Sequence, residues 1–210
     1  MMVNACAQRH IPLFLANARK SVSSFNSAWR MRWLARPAYR RLQGALVQSE
    51  ADASRLSRLG THVLAQTGNI KFDAKPSEDQ LAMGRLWRGQ GQKPVVMLAS
   101  ARDGEALGLL DAFMADTGAR ESHQILIVPR HLHHMAELLQ AIEARGLSVS
   151  RRSAWALHPA AADVWLGDTF GELPSYYALA DVALLGGSFA PLGGQNLIEA
   201  AACGCPLVVI

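Results

Sequence analysis

The sequence predicts an α/β protein in which a parallel sheet carries helices on both faces. Short apolar runs alternate with helical patterns through most of the chain, which is typical of buried parallel strands joined by helices. Half of the 210 residues are hydrophobic and 18% are charged, so the chain can bury a sizeable core, and the disordered, collagen-like and coiled-coil classes are excluded.

The charge is uneven along the chain, because residues 1–66 hold ten Lys or Arg against two acids and residues 67–210 hold eleven against fifteen. This asymmetry predicts two parts with different surroundings.

The first part, residues 1–66, is predicted to contain three strands and two helices. The second of these helices, at 50–59, is closed by Gly60, a residue typical of helix ends. A hinge is predicted at 67–69, where the charge balance changes sign. The strands are expected at 11–16, 45–49 and 63–66, and a longer basic helix at 23–42.

The basic helix predicts contact with an anionic surface. Trp29 and Trp33 are four residues apart, so they share one face of a continuous helix. Indoles and basic side chains together suit an anionic membrane surface. The alternative to a membrane contact is an amphipathic helix that covers the core of the protein and has a solvated basic face. No recognised nucleic-acid module accompanies the charge, so nucleic acid is not a predicted partner. The basic residues are Arg30, Arg32, Arg36, Arg40 and Arg41.

The second part, residues 67–210, alternates between strands and helices. Its last strand runs to the final residue, so we expect a sequence cut from a longer chain. The strands are predicted at 94–100, 124–129, 163–166, 181–185 and 206–210, and the helices at 105–117, 133–145, 173–179 and 195–203.

Unusual residues follow four of these strands where each one ends. Because the carboxyl ends of parallel strands meet at one edge of a sheet, ligands of such sheets bind beyond that edge. The sequence therefore predicts one crevice built from four loops. They are 100–105, 129–131, 167–172 and 186–199.

The last of these loops has features of a nucleotide site. Gly193 and Gly194 leave backbone N–H groups open to an anion, and Asn196 and Glu199 share one helix face. A carboxylate at 199 can accept both hydroxyls of a ribose. Asn196 as a helix N-cap with Glu199 as its capping-box partner explains the spacing equally well.

Arg130 and Glu172 each have two interpretations. The Arg130 guanidinium offers a fork for phosphate, but a surface arginine needs no ligand. Glu172 lies in a predicted ligand loop, but it also suits the third position of a helix capped by Thr169.

No metal or cofactor is expected. His131, His133 and His134 lack Cys, Asp or Glu at ligand spacing, and three cysteines do not form a disulfide framework. Neither a phosphate-binding P-loop nor a dinucleotide fingerprint is present in the sequence.

Three segments resemble the donor-site motifs of the 3-deoxy-D-manno-oct-2-ulosonic acid (Kdo) transferases of lipid A biosynthesis, in order and spacing. They are Pro-Arg-His at 129–131, Leu-Gly-Asp-Thr-Phe-Gly-Glu-Leu at 166–173, and Gly-Gly-Ser-Phe-Ala-Pro-Leu-Gly-Gly-Gln-Asn-Leu-Ile-Glu at 186–199. Segments 17–19 and 67–73 resemble the end of the family's first domain and the start of its second. The family has the GT-B fold of two Rossmann-like domains. The resemblance implies that 1–66 are the C-terminal part of the N-terminal acceptor domain and 67–210 an incomplete C-terminal donor domain.

The resemblance also implies which residues bind the CMP part of CMP-Kdo. Leu192, Gln195 and Arg102 depart from the family pattern, so no phosphate or Kdo contact is carried over to them. The implied CMP-binding residues are Pro129, Arg130, Phe170, Gly171, Glu172, Asn196, Leu197, Ile198 and Glu199.

The implied reaction is inverting transfer of Kdo from CMP-Kdo to a lipid A precursor, without a bound metal, by a peripheral protein at the cytoplasmic face of the inner membrane. The family's general base is a glutamate expected before Met1, so no catalytic residue is assigned within this sequence, and CMP binding without transfer is expected of it. The alternatives are a GT-B enzyme that uses a UDP-sugar and a non-catalytic nucleotide-binding module.

Overall fold

The computed structural model describes residues 2–73, 75–102, 104–187 and 197–208. The chain divides into two compact units, of which the first ends at Asp73 and the second contains the remaining residues. Within the described residues, no helix is long and apolar enough to cross a membrane.

The first unit is a three-stranded parallel sheet with helices around it, in the strand order β1-β2-β3. Its small core contains Ala45, Val47 and Leu56. The helix predicted at 50–59 is confirmed, and Gly60 closes it with φ of 102°. The elements are α1 (Met2–Gln8), β1 (Phe14–Ala18), α2 (Val22–Arg30), α3 (Arg32–Arg40), β2 (Gly44–Val47), α4 (Glu50–Leu59) and β3 (Val63–Gln66).

The single helix predicted at 23–42 is wrong, because the backbone leaves the helical region at Met31 (φ −103°, ψ 35°) and separates α2 from α3. Trp29 stacks on Phe25 and lies under the Arg58 guanidinium of α4. Trp33, in contrast, is 76% exposed. The continuous helix face that was predicted to carry both indoles does not exist.

Residues 67–73 lie with the first unit. The Thr67 N–H donates to the Val47 carbonyl at 2.9 Å, and the Ile70 N–H donates to the Asn17 side chain at 3.2 Å. These bonds tie Thr67 and Ile70 to the first unit, which ends at Asp73, seven residues after Gln66, the last residue of the predicted first domain. The roles assigned to the two domains stay predictions.

The second unit is a six-stranded sheet in which all neighbours are parallel, in the order β6-β7-β5-β4-β8-β9. The five predicted strands are present among the described residues, and α5, α7 and β6 are additional. The elements are α5 (Glu78–Gln90), β4 (Val95–Ala101), α6 (Glu105–Ala115), α7 (Thr117–Ser122), β5 (Gln124–Pro129), α8 (Met135–Glu143), β6 (Val149–Arg151), β7 (Val164–Leu166), α9 (Leu173–Leu179), β8 (Val182–Leu185), α10 (Leu197–Ala202) and β9 (Leu207–Val208).

Both faces of this sheet are covered. Val95 and Met97 of β4 point into a core with Trp87 and Tyr176, and Leu98 points into a second core with Leu110. This alternation is the one expected for a strand buried on both sides. The α/β fold class with parallel sheets is confirmed.

Helix α5 is the main element that the sequence patterns did not predict. The Ser77 side chain caps it, and Glu78 and Asp79 lie in its first turn. The helix packs closely on α9, because a Cβ added at Gly84 would lie 2.1 Å from the Ser175 carbonyl oxygen. These cap residues were the available signal for the helix.

Candidate functional site at the carboxyl edge of the second sheet

The strand order places a topological switch point between β4 and β8. The connection after β4 leads to β5 on one side of β4, and β8 pairs with β4 on the other side. Crevices at such points are the usual ligand sites of open parallel sheets. The loops that begin at Arg102 and at Gly186 flank this crevice.

Glu105 joins the two loops that flank the crevice. Its carboxylate accepts the Gly187 N–H with both oxygens, at 2.7 and 2.9 Å, and the Arg102 N–H at 2.8 Å. The loops approach so closely that a Cβ at Gly186 would lie 2.2 Å from the Ser100 carbonyl oxygen. The positioning role of Glu105 was not among the predicted site functions.

The predicted residues Pro129 and Arg130 lie at the end of β5, beside this crevice. The Arg130 N–H donates to the Ala101 carbonyl at 2.9 Å and holds the end of β5 against the end of β4. Arg130 is exposed and Pro129 half-buried.

The loop after β7 is fixed through Asp168. Burial of this carboxyl opposes ionisation, but hydrogen bonds from Ser153 and the Arg151 guanidinium outweigh it and lower the pKa of Asp168 below its usual value. The Ser153 N–H and hydroxyl donate at 2.8 and 2.6 Å, and Arg151 at 2.8 Å. These hydrogen bonds anchor the start of the loop that carries Phe170, Gly171 and Glu172.

Glu172 lies in a network of protein groups. Arg152 donates to one of its carboxylate oxygens at 2.8 Å, the Thr169 hydroxyl bonds the other, and the Thr169 and Tyr176 hydroxyls are 2.7 Å apart. Burial raises the pKa of Tyr176 to about 12. The capping-box alternative is wrong, because α9 begins at Leu173 and Thr169 bonds the Glu172 side chain instead of capping a helix.

Phe170 and Gly171 present the accessible part of the loop. The Phe170 side chain is 80% exposed, and Gly171 has φ of 77°, a value that glycine adopts without strain. The Gly171 carbonyl accepts a hydrogen bond from the Gln80 side chain of α5 at 2.7 Å. An exposed aromatic ring on an anchored loop can stack on a nucleobase.

Of the predicted phosphate and ribose segment, the structure describes Leu197, Ile198 and Glu199 in the first turn of α10. Asn196 and the Gly193-Gly194 pair lie outside the described residues. Desolvation raises the pKa of the Glu199 carboxyl, although much of the residue's surface is open to solvent. Burial and the charge of Glu199 raise the pKa of Tyr177.

A cavity of about 310 Å³ opens at the same edge, between the loops after β4 and β5. Arg102, Pro129, His131, His134 and Glu137 contribute to its wall. The sequence did not single out this space, because it is formed by helices α6 and α8 that are about 30 residues apart in the chain. Among the described residues, no group of three His, Cys, Asp or Glu is arranged to hold a metal ion.

Comparison with known proteins relates both units to one family. The family model described as 3-deoxy-D-manno-octulosonic-acid transferase (kdotransferase) matches residues 1–74. The 3-deoxy-D-manno-octulosonic acid transferase of Bordetella pertussis is 41% identical over 99% of this chain, and that of Haemophilus influenzae is 28% identical over 95%. The crystal structure of the C-terminal CMP-Kdo binding domain of WaaA from Acinetobacter baumannii is 29% identical with a TM-score of 0.57, covering 63% of this chain and 71% of that one.

The resemblance to the Kdo transferases is confirmed. Both sheets of the chain are parallel, and the GT-B arrangement of the two domains stays a prediction. The chain spans about half the length of the curated relatives it matches, 50% of the Bordetella protein and 48% of the Haemophilus protein. None of these matches tests the individual CMP-binding residues inferred from the Kdo transferase motifs, which stay predictions.

Proposed function

We propose that the protein is a glycosyltransferase that transfers Kdo from CMP-Kdo to a lipid A precursor, and that the second unit binds the donor. The observation that carries this proposal is the 41% identity to a Kdo transferase over 99% of the chain. The switch-point crevice supports it, because the predicted donor loops after β5 and β7 lie along the same sheet edge.

The described side chains suit the three parts of CMP. Arg130 at the end of β5 can pair with phosphate through its planar fork. Glu199 can accept ribose hydroxyls once its carboxyl is ionised, and the exposed Phe170 ring can stack on the base. The Glu105 bonds hold together the loops on either side of the crevice.

Calorimetric titration of the 210-residue chain with CMP and with UDP tests this proposal. We expect CMP to bind more tightly than UDP, and Glu199→Ala to weaken CMP binding about tenfold because a charged hydrogen-bond acceptor is removed. Glu143→Ala, at the exposed end of α8, is the matched control and should leave the affinity for CMP unchanged.

The rival functions give different results in the same titration. Tighter binding of UDP favours a GT-B enzyme that uses a UDP-sugar. CMP binding that does not depend on Glu199 removes the ribose role from this residue. Failure of the chain to bind either nucleotide contradicts the donor-binding proposal.

We also propose that the first unit contacts an anionic membrane surface, at the cytoplasmic face of the inner membrane where the lipid acceptor would be met. Around the break between α2 and α3, Met31, Trp33 and Leu34 are 52%, 76% and 60% exposed. Arg30 and Arg32, which are exposed as well, alternate with Met31 and Trp33 along the chain. Exposed apolar groups in a basic setting favour an interface rich in anionic lipids.

Liposome flotation tests the membrane proposal. We expect binding to vesicles with anionic lipid, weaker binding at high salt, and a clear loss for Trp33→Ala. Leu157→Ala removes a side chain that is 73% exposed in the second unit, and serves as the control. Binding that is absent, insensitive to salt, or equal in both variants contradicts the proposed membrane surface.

A further inference from the structure

The cavity at the sheet edge has the size of a small-ligand site. Its volume of about 310 Å³ lies at the lower end of the range of about 300–1,000 Å³ that is typical of such sites. Leu107 of α6 and Leu138 of α8 form part of an apolar wall. A space of this size suits one monosaccharide-sized group and is small for a whole nucleotide sugar.

The polar part of the wall favours an anion. Arg102, His131 and His134 line the cavity, and the Arg102 Nε is buried without a hydrogen-bond partner among the described residues. Glu137, the carboxylate among the described lining residues, faces His134 Nδ1 at 3.1 Å and is itself 79% exposed. Asp103, next to Arg102 in the sequence, lies outside the described residues.

The nearest described carboxylate along the chain is directed to backbone groups. Glu105 accepts the N–H groups of Arg102 and Gly187. It thereby fixes the backbone of Arg102 at the cavity entrance, and a fixed backbone lowers the entropy that the side chain loses when it binds a ligand.

We propose that this cavity holds the sugar acid of the donor and that the Arg102 guanidinium binds its carboxylate. The inference rests on the proposed function, which makes an octulosonic acid the transferred sugar. Arginine matches a carboxylate with two parallel N–H groups. Pro129 lies in the cavity wall and is also a predicted CMP contact, so a sugar attached to the nucleotide is within reach of the cavity.

The test separates the sugar from the nucleotide. Free Kdo and its uncharged methyl ester are titrated into the chain, with and without saturating CMP, and CMP is titrated alone. We expect Kdo to bind and the ester to bind at least about tenfold more weakly, the loss typical of one charge-assisted hydrogen bond. Arg102→Met should lower Kdo affinity by a similar factor and leave CMP affinity within about twofold. Arg85→Met, at an exposed position of α5, is the control.

The outcomes distinguish a failure of the inference about the cavity from a failure of the proposed function. Kdo binding that is equal in wild type and Arg102→Met, or equal for acid and ester, overturns the role of Arg102 while CMP binding leaves the proposed function intact. Absence of Kdo binding in a chain that binds CMP also overturns the inference alone. Absence of both overturns the inference and the proposed function together.

A second variant tests the cavity without touching a charge. Leu107 lies in the wall and is 36% exposed, so Leu107→Trp is expected to fill the space with little effect on folding. We expect this variant to lose Kdo binding and to retain CMP binding. Unchanged Kdo affinity in a folded Leu107→Trp chain places the sugar elsewhere.

Discussion

In the first unit, the arginines of α2 and α3 lie on partly exposed helices beside exposed apolar side chains, whereas in the second unit many charged side chains bind one another or the backbone. Of the six arginine–carboxylate ion pairs found among the described residues, Asp52–Arg55 belongs to the first unit and five belong to the second. Charge in the second unit therefore fixes loops, whereas Arg30, Arg32 and Arg40 of the first unit lie exposed on α2 and α3. The net charge of the chain, +4, is a poor guide to either unit, because residues 1–66 hold ten basic residues against two acids and residues 67–210 hold eleven against fifteen.

The largest expected effect on the free energy of unfolding comes from Trp87 in the second unit, and Trp33 in the first unit is its comparison. Trp87 is 2% exposed, contacts Trp155 edge-on with ring centroids 5.2 Å apart, and lies under the Arg152 guanidinium. We expect Trp87→Ala to lower the free energy of unfolding by about 3–5 kcal/mol, because it leaves a cavity in the core. Trp33→Ala, at a site that is 76% exposed, should change it by less than about 0.5 kcal/mol. Urea unfolding followed by circular dichroism measures both, and equal losses contradict the contrast between the units.

A smaller effect is expected at the switch point. Glu105→Gln keeps one acceptor oxygen and replaces the other with an NH2 group, so at least one of the three hydrogen bonds from the Gly187 and Arg102 N–H groups is lost. We expect a loss of about 1–3 kcal/mol and faster hydrogen exchange at the Gly187 amide. Glu121→Gln, on the exposed surface of α7, should leave that exchange rate unchanged. Unchanged Gly187 exchange in Glu105→Gln would remove the positioning role.

The smallest effect concerns acid. The pKa of Asp168 is below its usual value in the folded protein, so its contribution to stability is fully present above about pH 4 and is lost as the pH falls towards the lowered pKa. An asparagine at position 168 cannot ionise. The free energy of unfolding of Asp168→Asn should therefore fall less steeply between pH 5 and pH 3 than that of the wild type, and the difference should be about the contribution of one titrating carboxyl group. Parallel urea series at the two pH values measure this slope. Identical slopes contradict the role of Asp168 as an ionised anchor.

The fold was predictable where sequence patterns are local. The strand at 124–129 and the helices at 50–59 and 173–179 were predicted with the bounds that the structure has, because each is a short apolar or capped segment. The basic helix failed at Met31, where no proline or glycine marks the break. Strand β6 (Val149–Arg151) is too short for periodicity to detect.

The candidate site was predictable only as a set of loops. Parallel strands share an edge, so the positions of the loops after β4, β5, β7 and β8 in the sequence are enough to assign them to one crevice. Their internal contacts could not be predicted in this way, since Glu105 meets Gly187 across 82 positions of the chain. Packing of α6 and α8 likewise creates the cavity at Arg102, and no local motif indicates it.

We expect the second unit to bind CMP at the carboxyl edge of its sheet, and backbone NMR of the chain with added CMP locates the binding site residue by residue. Amide shifts should appear after β5, β7 and β8 and in the first turn of α10, including Arg130, Gly171, Gly187 and Glu199, and should not appear in α2 and α3. Shifts confined to the first unit, or no shifts at saturating CMP, would contradict it.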